Sequence, residues 1–126
     1  MPRYIDGFVI PIKKKNLALY EPMARTGAKL WTEHGALEYF ECFGDDLKIP
    51  YGAGFPRQMK LKRGETVIFA FIVFRSRAHR DKVNARVMKD PRMSGGVPPK
   101  MPFDMKRMLY GGFEVLLEAR ARKRSR

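Results

Sequence analysis

Residues 67–74 (VIFAFIVF) are eight consecutive apolar positions made mostly of β-branched and aromatic side chains. With Thr66 in front they form the strongest strand pattern in the chain, nearly all apolar, which predicts a central strand. The run is far shorter than the roughly 20 apolar residues of a membrane-spanning helix. A chain built round such a strand must supply neighbouring strands and elements to cover them.

Three further segments read as strands: residues 4–12 (YIDGFVIPI), 37–43 (LEYFECF) and 108–117 (MLYGGFEVLL), the last relaxed or bulged at Gly111 and Gly112. Two segments read as helices. In the first, Leu17, Tyr20, Met23, Ala24, Gly27, Leu30, Trp31 and His34 recur at helical spacing, and Gly35 supplies a stop. Pro22 falls within this pattern and predicts a bend or a late start. The second helix is predicted over 77–89, with Ser76 as N-cap, Val83, Val87 and His79 on its apolar side, and Asp90 and Pro91 ending it. Residues 49–56 and 93–105 read as loops rich in proline and glycine. The order βαββαβ predicts an α+β, ferredoxin-like domain: an antiparallel sheet with helices on one face. At 126 residues the chain has room for one core, expected over 1–118, followed by a basic tail at 119–126.

Strand alternation divides the side chains into two sets. Ile5, Gly7, Val9, Phe40, Cys42, Leu109, Gly111, Phe113 and Val115 form an apolar set with small gaps, expected beneath the helices. Tyr4, Asp6, Phe8, Ile10, Tyr39, Glu41, Phe43, Tyr110, Gly112, Glu114 and Leu116 form an aromatic set dotted with carboxylates, expected on the open face. An open face so rich in aromatics predicts burial against a second copy, enclosing a cleft between two sheets that binds or transforms a small molecule. A monomer with an open sheet is the alternative.

Within that cleft Asp6, Glu41 and Glu114, with Tyr39 and Tyr110, are the candidate acid/base groups, because enclosure beside aromatics raises carboxylate pKa values into a useful range. Ordinary salt bridges to Lys60, Arg75 or Arg107 are the competing reading. His34 at the end of helix one and His79 in the first turn of helix two are further candidates, or else capping and packing groups. No HxxxH or HxH spacing accompanies them, so no metal site is expected. Arg57 and Lys60, with Lys62, Arg63 and Arg107, form a basic rim that could draw an anionic ligand, or a plain solvated surface. Gly52 and Gly54 precede no helix, so they predict no phosphate loop, and no cofactor is expected.

Lys and Arg number 26 against 13 Asp and Glu, a net charge of +13, and five of the basic groups lie in residues 120–126. The tail reads as a solvated end, or as a salt-sensitive grip on RNA or another polyanion together with the surface of helix two. The lone Cys42 cannot form an internal disulfide and is expected to be buried, and the first residues lack a secretory pattern, so a reducing cytoplasmic setting without a membrane partner is expected.

Four blocks also resemble the YbaA-like family of bacterial proteins of unknown function: residues 4–9 (YIDGFV), 33–39 (EHGALEY), 76–84 (SRAHRDKVN) and 101–114 (MPFDMKRMLYGGFE). The resemblance runs from about residue 3 to about 118, with Pro22 and the basic tail as departures. It implies a dimeric α+β barrel, in agreement with the two-sided sheet. Members of that superfamily include cofactor-independent monooxygenases, haem-degrading enzymes, small isomerases and dehydratases, and ligand-binding or sensing proteins, so the resemblance implies a fold and an oligomer more than an activity. Some family members carry a label linking them to signal-recognition-particle RNA, and no RNA-recognition motif in this sequence supports it.

Overall fold

The computed structural model describes residues 1–94 and 101–122. Pro98 and Pro99 of the second loop and residues 123–126 of the basic tail lie outside the described residues. The elements run β1 (Tyr4–Lys13), α1 (Leu17–Glu33), β2 (Glu38–Phe43), α2 (Phe55–Gln58), β3 (Glu65–Phe74), α3 (Arg77–Lys89), α4 (Pro91–Ser94) and β4 (Leu109–Glu114), with 3-10 turns at Lys14–Asn16 and Met105–Arg107. The four strands form one antiparallel sheet in the order β2-β3-β1-β4, the split βαβ arrangement expected. The apolar strand β3 is central, between β2 and β1.

Local signals act where they were read. The Ser76 hydroxyl accepts from the backbone N–H of His79 at 3.1 Å and opens α3 at Arg77. Gly35 follows α1 with φ +118°, a conformation that favours glycine. Helix α1 does not start late: it runs from Leu17 through Pro22 in its second turn. Pro11 sits in the central strand β1 without cost to the ladder. The Lys14 N–H donates to Gly64 O at 2.9 Å, so even-numbered β1 residues face β3 and Pro11 faces the other side, where β4 has already ended opposite Val9.

The core lies between one sheet face and the helices. Tyr4, Ile72 and Phe74 pack with Leu30 of α1 and with Val83 and Val87 of α3. Ile10, Ile12, Ile68 and Ala70 pack with Tyr20. Each fully buried side chain of this kind contributes roughly 1.5–3 kcal/mol.

The two sides of the sheet are the reverse of the expectation. Alternation sorts the residues as predicted, but the helices cover the side carrying Tyr4, Asp6, Phe8, Ile10, Tyr39 and Glu41. The set read as apolar is on the open side, where Glu38 also stands beside Phe40. Phe40, Phe69 and Phe113 are 42, 48 and 59% exposed there, and Cys42 is exposed, not buried. The physical reason lies in the polar tips. Asp6 and Glu41 of the mixed side find donors on α1 and α3, so the helices can enclose them. The carboxylates therefore do not line a cleft between two sheets.

Candidate functional site

The covered face holds two separate polar groupings, one beneath each long helix. Beneath α3, Asp6 is 1% exposed. Arg80 Nη1 donates to its Oδ1 at 2.7 Å, and Asn84 Nδ2 and the Tyr110 hydroxyl donate to its Oδ2 at 3.3 and 3.5 Å. Trp31 Nε1 of α1 donates in turn to Asn84 Oδ1 at 2.9 Å, and the Arg80 guanidinium lies 4.8 Å over the Tyr4 ring. Burial, and then the Asp6 charge, push the Tyr110 phenol above its ordinary value. This grouping is closed: a buried carboxylate matched by a cation and two further donors, tying α3 to β1 and β4.

Beneath α1 the arrangement differs. Glu41 on β2 accepts the Tyr20 hydroxyl on Oε1 and the Tyr39 hydroxyl on Oε2, each at 2.8 Å. Tyr39 reaches it because it lies two residues back on the same strand and hence on the same face. Tyr20 reaches it from α1. Gly27 makes the close approach of α1 possible, since a Cβ at that position would lie 2.9 Å from the Tyr39 hydroxyl. Burial, and then the negative charge of Glu41, push both phenols well above the ordinary tyrosine range. Both phenols are therefore held protonated at neutral pH and donate to Glu41.

Two cavities flank α1 and meet at this carboxylate. One, of about 470 Å³, reaches it past Leu17, Ala24 and Ala28. The other, of about 810 Å³, is walled by Trp31, Phe103 and the methionines of α1, α4 and the 101–105 segment. Tyr20, Tyr39 and Glu41 line both. Asp6 lines neither.

The remaining candidates lie elsewhere. Glu114 is exposed on edge strand β4, opposite Tyr4 in the ladder. His34 Nε2 lies 2.9 Å from Asp90 Oδ2, and Arg92 links Asp90 to Glu33, so Arg92 and then His34 hold the Asp90 carboxyl well below the usual range. His79 Nδ1 accepts the Arg75 N–H at 3.0 Å while its ring sits edge-on to Phe74. Burial, and then the Arg75 charge, push the His79 ring below its ordinary value. Arg107 donates to both oxygens of Glu65 at 2.7 and 2.9 Å and to Lys60 O at 3.2 Å, strapping the loop to the start of β3. Arg107 thereby holds Glu65 at about 2. Arg57 and Lys60 are exposed. No group of three or more His, Cys, Asp or Glu side chains comes together among the described residues in a way that could hold a metal ion, and no described helix is long and apolar enough to cross a membrane.

Four contributors were not singled out as site residues from the sequence: Tyr20, Trp31, Arg80 and Asn84. Tyr20 and Trp31 stand in the helical stripe that marked the inner side of α1. Arg80 and Asn84 stand four apart and adjoin Val83 and Val87 on the inner side of α3, so an i,i+4 polar pair on a core-facing stripe was the available signal.

Comparison with known proteins places this geometry in a family. The uncharacterised protein YbaA of Escherichia coli strain K12 is 38% identical over 116 residues, covering 92% of this chain and 98% of that protein. YbaA of Shigella flexneri matches with the same figures. Among solved structures, a dimeric ferredoxin-like protein from an uncultured marine organism superposes with a TM-score of 0.58 at 10% identity, over 94% of this chain and all of that one. Residues 3–105 match the family described as "Protein of unknown function (DUF1428)". With that match over most of its length and a curated relative aligned nearly end to end, this chain belongs to the DUF1428 family.

Proposed function

We propose that the protein binds a small, largely apolar molecule beneath α1, with Glu41 as the polar anchor and Tyr20 and Tyr39 as the groups that hold it in place. The observation carrying this reading is the position of Glu41. Its carboxylate is clamped by two phenol donors at the meeting point of cavities of about 470 and 810 Å³. A carboxylate so placed in apolar walls is the arrangement expected of a binding site, where a few polar groups orient an apolar ligand. Each oxygen accepts one phenol and keeps a lone pair for a donor on the ligand. Native mass spectrometry of gently purified protein tests the reading. A small molecule released on denaturation, and absent from a variant whose cavity is filled by Ala24→Phe, is the expected result. Wild-type protein that neither carries nor takes up apolar molecules from a fragment set overturns it.

The same reading makes the protein a homodimer through its open sheet face. Phe40 and Phe71 stack there at 4.7 Å and Phe69 lies 5.5 Å from Phe71, with Gly7 and Val9 of β1 opposite Phe71 and Phe69. The ferredoxin-like neighbour is described as dimeric, which supports the same assembly. Light scattering is expected to give twice the chain mass, and Phe71→Glu a monomer; a monomeric wild type at micromolar concentration overturns this part.

A further inference from the structure

Four of the thirteen carboxylates of the chain are not fully exposed: Asp6, Glu41, Glu65 and Asp90. Three of them are matched by cations. Asp6 has Arg80 at 2.7 Å, Glu65 has Arg107 at 2.7 Å, and Asp90 has Arg92 at 2.8 Å and His34 at 2.9 Å. Glu41 has two neutral phenols, and among the described residues no Lys, Arg or His nitrogen lies within 4.0 Å of it. The arginines that border its cavities are engaged elsewhere: Arg25 pairs with Glu21 at 2.6 Å, and Arg92 with Asp90 and Glu33. In a chain with twice as many basic as acidic residues, a partly enclosed carboxylate without a cation stands out.

The walls around it suit a cation. Tyr20 and Phe103 meet edge to face at 5.8 Å and Trp31 and Tyr39 lie 6.3 Å apart, so aromatic faces border the same space as the carboxylate. Aromatic rings attract a desolvated ammonium group, and a carboxylate beside them adds a charge-assisted hydrogen bond. Methionines Met23, Met93 and Met105 supply adaptable apolar surface for the rest of the molecule. From these features we infer that the ligand of the α1 cavity is an organic cation: an apolar body carrying a protonated amine that completes the charge pair at Glu41. This inference rests on the proposed cavity site and specifies the head group of its occupant. The overall charge of +13 works against casual binding of amines, so selectivity for one must come from the site itself.

The single tryptophan, Trp31, borders the cavity and reports on it without a label. Titration of the whole chain with 4-phenylbutylamine, 4-phenylbutanol and 4-phenylbutyrate, followed by Trp31 fluorescence and its indole N–H resonance, separates the head groups on one apolar body. The amine is expected to bind at least ten times more tightly than the alcohol and the carboxylate. Glu41→Gln, which keeps the shape and lets its oxygen accept one phenol while its NH2 donates to the other, is expected to bring amine and alcohol within about twofold of each other. Equal binding of amine and alcohol to the wild type, or an amine preference that survives Glu41→Gln, overturns the cation assignment and leaves the cavity reading standing. If none of the three compounds moves the Trp31 signals at millimolar concentration, both fail. The wild-type titration decides between these even should the variant fold poorly.

Discussion

Asp6 and Glu41 stand on the same face of the same sheet, each beneath a long helix, yet their surroundings differ. Asp6 is sealed, with a guanidinium and two further donors around it, and lines neither of the two cavities at α1. Glu41 is half-buried, held by two phenols, and borders open space on both sides of α1. The difference teaches what to ask of a carboxylate under a helix. A buried charge matched by the chain's own cation serves the fold, because it is neutralised and shut off from solvent; a charge clamped by neutral donors beside a cavity can still take a partner from outside the chain.

The sharpest way to break the comparison is to remove the cation at the sealed site. Arg80→Met leaves Asp6 buried without its partner, and chemical denaturation is expected to show a loss of roughly 3–5 kcal/mol, the range for one half of a buried pair. A loss below about 1 kcal/mol would put Asp6 in the same class as Glu41. Next in size is an acid effect at Glu65, which Arg107 holds at about 2. A carboxyl depressed in the folded state stabilises it fully above its ordinary value near 4.5, and that contribution disappears as pH falls from there to about 2. The pH dependence of unfolding is expected to lose on the order of 2 kcal/mol across that window, and Arg107→Met to flatten it.

Smaller again is Glu41→Gln, expected to cost roughly 1–2 kcal/mol, since one phenol keeps its acceptor and the other must turn to accept from the amide NH2. The same variant sharpens the comparison spectroscopically. Absorbance titration is expected to show the Tyr20 and Tyr39 phenols ionising at lower pH than in the wild type, yet still above an ordinary tyrosine, since burial is the larger cause of their shift and remains. At the bottom of the scale, deletion of residues 119–126 is expected to change stability by less than about 0.5 kcal/mol, because the described part of that segment is exposed. A larger loss would mean that the tail contacts the body of the protein.

Much of the candidate site was legible piece by piece. The pairing of Tyr39 with Glu41 follows from two residues on one strand sharing a side, and Asp6 with Tyr110 from their places on β1 and β4. Tyr20 and Arg80 were not legible as partners, because Tyr20 Oη and Glu41 are 21 residues apart and Arg80 and Asp6 are 74 apart, joined only when the helices lie down on the sheet. Cys42 was misplaced for the same reason: its side was read correctly, and what that side faces was not.

By itself, the amino-acid order determined the βαββαβ succession, the central place of the 67–74 run, the N-cap at Ser76 and the sorting of strand residues into two sides. These follow from periods of two and 3.6 residues and from the bonding of single side chains, all local properties. Only the tertiary structure decided which side the helices cover. That choice depends on whether buried polar groups find donors on distant elements, and here Arg80, Asn84 and Tyr20 supply them. The side bearing Asp6 and Glu41 could therefore be enclosed, and the side centred on Phe40, Phe69 and Phe71 was left open.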